Sequence, residues 1–220
     1  MNIKILNNLN LDKTFTLNTS SLFILNALNF LLTIIILPKL IKTFGIEGWG
    51  EITFAQIIIN YFIWIIDWSF PQYACKQISI YLNNDQKRNQ FFVEARTSQL
   101  ILFFISSIFI TLYSFIFGNN KFVYFFSILI LFGSFLQTYW YLNGREKIYE
   151  TAFMQLLNKV LFAFFVFAII KKGDDISLYF FYFGICNIIT GIICTLRIFL
   201  QYNESFRIGN FKKSIRLIKK

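Results

Sequence analysis

The chain has no histidine among its 220 residues, which removes the commonest general acid–base group and the usual zinc patterns. No Gly-x-x-x-x-Gly-Lys-Ser/Thr stretch offers its backbone to a nucleotide phosphate. The adjacent carboxylates Asp174 and Asp175 follow Lys171 and Lys172 and read as a solvated, self-neutralising turn. Cys75, Cys186 and Cys194 lack metal-ligand spacing and read as small packing residues. No enzyme activity, metal or cofactor is expected. What remains is polar side chains at helical spacing. Thr53, Gln56, Asn60 and Asp67 share one helical face. Similar stripes are Asn26, Asn29 and Thr33; Ser107, Thr111 and Ser114; Thr151, Gln155 and Asn158/Lys159; and Asn187, Thr190, Cys194 and Arg197. Small polar residues can simply join helices by packing and hydrogen bonds. Amides as large as Asn29, Asn60 and Gln155 favour a shared hydrated cavity.

Lys159 is the sharpest single residue. It lies roughly 12 Å into an apolar run at about 1.5 Å per helical residue, where a charge costs about 2.5–3.5 kcal/mol. It either snorkels to the surface or serves as a cation in the interior. Asp67 falls near the end of its run, as a rim or a functional carboxylate, and is the single acidic residue assigned to a span. Arg145 and Arg197 fall near the same side as Asp67 and give the cavity a positive mouth, which suits an anionic substrate.

The elements that must position these residues are six apolar runs: 22–41, 52–70, 100–117, 122–142, 152–170 and 178–200. A bilayer core of about 30 Å takes about 20 helical residues. A soluble domain of this size has no interior for six such helices. The composition agrees, with 56% hydrophobic residues, only 15% charged residues and a mean hydropathy of +0.58. The apolar–polar alternation of a membrane barrel is absent, which leaves helices to satisfy the backbone in lipid. The expected fold is all-α: a polytopic membrane protein with a leader at 1–21, a six-helix lobe at 22–200 and a basic tail at 201–220.

The net charge of +10 would suit nucleic acid if it were clustered, but it alternates between loops. With Arg197 counted in the tail and Lys39 in the first loop, fifteen Lys and Arg fall in the leader, the second and fourth loops and the tail; five fall in the other loops. This is a positive-inside pattern with both termini cytoplasmic, in which membrane lipid and not nucleic acid is the expected contact. The longest loop, 71–99, is assigned to the cytoplasm. In the tail, Phe206, Ile208, Phe211 and Ile215 interleave with basic residues. That pattern fits an amphipathic helix on the inner leaflet, a stop-transfer flank or a linker to further helices.

Certain stretches resemble a known family. Pro38, then Gly45-Ile46-Glu47-Gly48-Trp49-Gly50, resembles the Pro…Gly-x-Glu-Gly-aromatic-Gly signature of O-antigen flippases, the polysaccharide-transport branch of the multidrug/oligosaccharidyl-lipid/polysaccharide exporter superfamily. Asp67-Trp68-Ser69-Phe70 with Ala74-Cys75-Lys76-Gln77-Ile78-Ser79 is similar to a second signature, although Ser69 stands where Gly is usual. Trp140-Tyr141-Leu142-Asn143-Gly144-Arg145-Glu146-Lys147 is similar to a third, with Asn143 where Gln is usual. The resemblance implies flipping of an undecaprenyl-diphosphate-linked oligosaccharide across the bacterial inner membrane. Lys159, Arg145 and Arg197 would meet the diphosphate, and Asn29, Asn60 and Gln155 the sugar hydroxyls. Asp67 would be the carboxylate available for proton coupling. It also implies a second six-helix lobe as partner, from a copy of this chain or a separate one. The other readings are a truncated product or assembly subunit that does not transport, and a drug exporter of the same superfamily.

Overall fold

Two residues in the first apolar stretch could bend a helix, and only one turns it round. Pro38 lies inside helix α1 (Lys13–Asp67) without interrupting it, whereas Gly45 leaves the helical region at φ 78° and ψ 175°. Glycine reaches that conformation without the Cβ penalty any other residue meets. In this computed structural model, which describes residues 13–117, 121–171 and 175–202 with Glu204, Arg207, Gly209, Ser214 and Leu217, the two arms of α1 return to the same place. Thr33 and Gln56 border one cavity of ≈360 Å³, although 23 residues of straight helix would set them about 35 Å apart. The expected spans 22–41 and 52–70 are therefore two helical arms of one folded run, meeting at Gly45. That run ends at Asp67, short of the expected residue 70.

The described residues contain five helices long and apolar enough to cross a membrane, of which α1 supplies Leu22–Asp67. After α1 come a π-helical turn (Phe70–Ala74), α2 (Cys75–Ile80) and α3 (Asp85–Phe117). The loop expected at 71–99 is thus mostly helix. Its polar residues stabilise helix by spacing rather than hydropathy. The Asn84 side chain accepts the Lys87 amide at 3.0 Å as an N-cap. Asp85 sits at the positive end of the helix and pairs with Arg88 at 2.7 Å. On the inner face Phe91, Phe92 and Ala95 are buried.

The fourth expected span is broken. It forms α4 (Lys121–Leu136) and α5 (Tyr139–Gly144), with Gln137 and Thr138 between them. Carbonyls released at such a break need donors in a medium without water. Arg96 donates to the Phe135 carbonyl, and Thr195 Oγ1 to that of Leu136 at 2.9 Å. Helices α6 (Ile148–Ala168) and α7 (Ile176–Tyr202) complete the bundle. The start of α7 is capped by Asp175, whose side chain accepts the Ser177 amide at 2.8 Å.

Two apolar cores result. One, with Ile52, Ile59, Ile110, Leu131, Val166 and Phe180, joins α1, α3, α4, α6 and α7. The other gathers Phe70, Ile78, Phe92, Trp140, Tyr141 and Ile198 beneath the turn after α1, with Phe92 packed edge-on to Tyr141 at 5.1 Å. Cys186 and Cys194 are buried and all three cysteines are free. The described tail residues rest on the body. Glu204 is buried, the Gly209 amide donates to Thr97 Oγ1 at 2.8 Å, Ser98 Oγ donates to the Ser214 carbonyl at 3.0 Å, and Leu217 joins the second core. The leader up to residue 12, the turn residue Asp174 and the rest of the tail lie outside the described residues.

Candidate functional site

The Lys159 ammonium does not reach the end of its helix. It donates to the Asn29 carbonyl at 2.9 Å and to Thr33 Oγ1 at 2.9 Å, both on the first arm of α1. Thr33 Oγ1 in turn donates to the same Asn29 carbonyl at 2.9 Å. Around this pair lies the ≈360 Å³ cavity between both arms of α1, α6 and α7, whose walls include Trp49, Gln56, Asn158, Phe162 and Tyr179. Gln56 Nε2 donates to the Tyr179 hydroxyl at 2.6 Å, and Asn158 Nδ2 to Thr190 Oγ1 at 3.0 Å. The Tyr179 ring meets Phe162 edge-on at 5.1 Å. An apolar cleft with a few placed polar groups and one cation is suited to binding a molecule.

Of the residues singled out in the sequence, Lys159 and Asn29 meet directly. Asn60 and Gln155 are exposed, and neither borders the cavity. Spacing put each on a common face with its neighbours but could not say that the face turns outward at those two positions. Asp67 is half-buried at the end of α1, away from that cavity. It is not the single carboxylate in a membrane-length helix, because Glu150 lies in the first turn of α6 and is 5% exposed. Arg145 and Arg197 are both engaged. The Arg145 guanidinium covers the Tyr202 ring at 4.1 Å and donates to the Tyr141 hydroxyl at 3.3 Å. Arg197 Nε pairs with Glu150 Oε2 at 3.3 Å. The expected positive mouth is therefore partly neutralised.

Other polar residues escaped the sequence reading. Gln137, at the α4–α5 break, donates to Asn187 Oδ1 at 3.1 Å and to Thr190 Oγ1 at 3.0 Å. With Asn158 these form a chain across α4, α7 and α6. For Asn187 and Thr190 these bonds join helices, and neither residue borders the Lys159 cavity. Arg88 and Arg96, counted as loop charges, are buried. Arg88 Nε meets Glu204 Oε1 at 2.6 Å, and the Tyr141 hydroxyl donates to the same oxygen at 2.6 Å. The usable signal was helical periodicity continuing upstream of residue 100.

The chain is similar to known proteins along most of its length. The chain is 23% identical over 179 residues to a protein of Escherichia coli (strain K12) named "Putative O-antigen transporter"; the match covers 80% of this chain and 43% of that protein. The chain thus spans less than half the length of the curated relative it matches. No solved structure matches it significantly. A family model described as "Polysaccharide biosynthesis protein" matches residues 15–219. With nearly the whole length matched, the chain belongs to this polysaccharide biosynthesis family.

Proposed function

We propose that the chain forms one six-crossing lobe of a flippase for an undecaprenyl-diphosphate-linked oligosaccharide in the bacterial inner membrane, with both termini cytoplasmic. The observation that carries this reading is the cavity built around Lys159, a cation held in mid-helix on α1 oxygens beside amides and aromatic rings. A sixth crossing follows if the fold at Gly45 is a turn at the membrane surface. A second lobe follows from the outward amides. Asn26, Asn60 and Gln155 are exposed on a surface that is otherwise apolar, and in hydrocarbon each unsatisfied polar group costs several kcal/mol. A lobe facing them would supply the partner against which transporters rock to expose a site alternately. Asn60 and Gln155, absent from the cavity wall, would then line the path between lobes.

The test is export of surface polysaccharide in a flippase-deleted strain complemented by the complete transporter. Lys159→Ala should abolish most export and Lys159→Arg should keep much of it. Unchanged export by the Ala variant, with normal protein levels, would return Lys159 to a purely structural link. Orientation is read separately. An impermeant thiol reagent should label a cysteine placed at Asp175 from outside and not one at Asn84.

A further inference from the structure

A second groove, of ≈440 Å³, lies where α6 begins and α7 ends, bordered by Leu25, Glu150, Phe153, Met154, Ile193 and Arg197. It is separate from the Lys159 cavity, because Glu150 and Lys159 are nine residues or about 14 Å apart along α6. Its polar and apolar parts are ordered by depth. Glu150 is the third residue of α6, and Arg197 stands five residues before the end of α7, so both lie within about 8 Å of a helix end. Phe153 and Ile193 lie further in and are exposed to the groove side, at 53% and 37%.

The ion pair at its edge is one-sided. Glu150 is buried and its Oε1 accepts the Tyr149 hydroxyl at 3.2 Å, which fixes the carboxylate. Its Oε2 then holds Arg197 by Nε alone, at 3.3 Å. The Arg197 side chain is 49% exposed, and its two terminal nitrogens make no hydrogen bond to a described residue. A guanidinium anchored on its Nε side presents a planar fork, the geometry that takes two oxygens of a phosphate together. An apolar floor deeper in the bilayer than that fork matches a hydrocarbon chain attached to the phosphate.

We propose that this groove binds the phosphate group of a membrane lipid, with the phosphate on Arg197, the lipid chain along Leu25, Phe153 and Ile193, and Glu150 as the residue that positions the guanidinium. The proposal requires only that the chain sits in a bilayer and is independent of what it carries. It is tested on the full chain in an uncharged detergent, by native mass spectrometry during titration with phosphatidylglycerol. Diacylglycerol with the same chains, and inorganic phosphate, separate the contributions of chain and head group. Phosphatidylglycerol should bind at least about tenfold more tightly than either, a factor set by one charge-assisted bidentate contact. Arg197→Gln should weaken it about tenfold. Ile193→Trp, which fills the floor and leaves every charge in place, should weaken it as well. Lys76→Gln, an exposed charge on α2, should leave it unchanged. Binding of phosphatidylglycerol by the Ile193→Trp or a folded Arg197→Gln variant as tightly as by the parent would overturn the proposal. So would inorganic phosphate or diacylglycerol binding as well as the phospholipid.

Discussion

The seam between α4 and α7 and the face shared by α1 and α6 are built on opposite plans. Along the seam, glycines let backbones touch. A Cβ at Gly133 would stand 2.5 Å from Asn187 Cβ, and one at Gly191 would stand 2.6 Å from Leu136 Cβ. The same seam carries the Gln137–Asn187–Thr190 hydrogen bonds. Close small-residue packing with polar links is how helices associate where lipid is as apolar as they are. The α1–α6 face instead encloses a cavity, and of the most apolar window of α1 only 11% is buried, against 44% for the α4–α5 stretch. One region is a close-packed spine; the other leaves most of its apolar surface open to lipid or to the proposed second lobe. The molecule separates close packing from a binding surface, as the proposed transporter lobe would have to if one part is to move while another holds its shape.

That contrast is broken most directly by putting a side chain into the spine. Gly191→Leu would drive carbons into Leu136 and the Gly133 carbonyl, which a Cβ alone approaches at 2.6 and 2.9 Å. Overpacking of this kind costs about 1–3 kcal/mol or more. The expected outcome is a large fall in thermal stability in detergent, read by loss of the monodisperse elution peak on heating. Survival with unchanged stability would mean that the seam is not close-packed in the membrane.

A smaller effect is expected from the polar link in the same seam. Gln137→Leu keeps the volume and removes the two N–H donors of Nε2, which share three acceptors: the Asn187 carbonyl, Asn187 Oδ1 and Thr190 Oγ1. Interhelical hydrogen bonds in membranes average about 0.6 kcal/mol, so the loss should be about 1–2 kcal/mol by the same measurement. At the tail, Glu204→Gln should cost more than a surface change, because it removes the buried charge partner of Arg88 and leaves only the exposed Asp85. A half-melting temperature unchanged by Glu204→Gln would mean that the tail is not docked on α3.

The two regions also differ in how legible they were in the sequence. Hydropathy located the bulk of each apolar helix, because about 20 apolar residues have few other uses. It failed at 85–99, where Arg88 and Arg96 read as loop charges. Their burial depends on Glu204, a partner 116 residues away from Arg88, and on a carbonyl freed by the α4–α5 break. The break itself came without a proline. Gln137 and Thr138 carry no local signal as strong as that of Gly45. Helical spacing grouped Asn60 with Gln56, and Gln155 with Lys159, but only tertiary packing decides how far a stripe turns before it leaves the cavity. Lys159 was identifiable because an isolated charge deep in an apolar run needs a partner. Glu150 was not, because it falls two residues before the run expected at residue 152.

The smallest expected effect gives the finest test of the loose face. Lys159 has three N–H groups, and two of them are used on Asn29 and Thr33. If those bonds are the reason for the lysine, it is a latch between α1 and α6. If they only hold the ammonium ready, it is a substrate contact. Thr33→Val keeps the shape of the side chain and removes one acceptor, together with the hydroxyl donated to the Asn29 carbonyl. The Asn29 carbonyl remains for the ammonium. Stability should fall by no more than about 0.6 kcal/mol, the average for one such bond. Export by the complete transporter should stay within about twofold of the parent, since about 0.4 kcal/mol separates states in a ratio of two. A latch gives a different pattern, because losing half of its hydrogen bonds would lower stability and export together, in the same order as Lys159→Ala. Measured side by side, a Thr33→Val variant that exports normally while Lys159→Ala does not assigns the lysine to the substrate. Parallel losses in the two variants assign it to the helix pair.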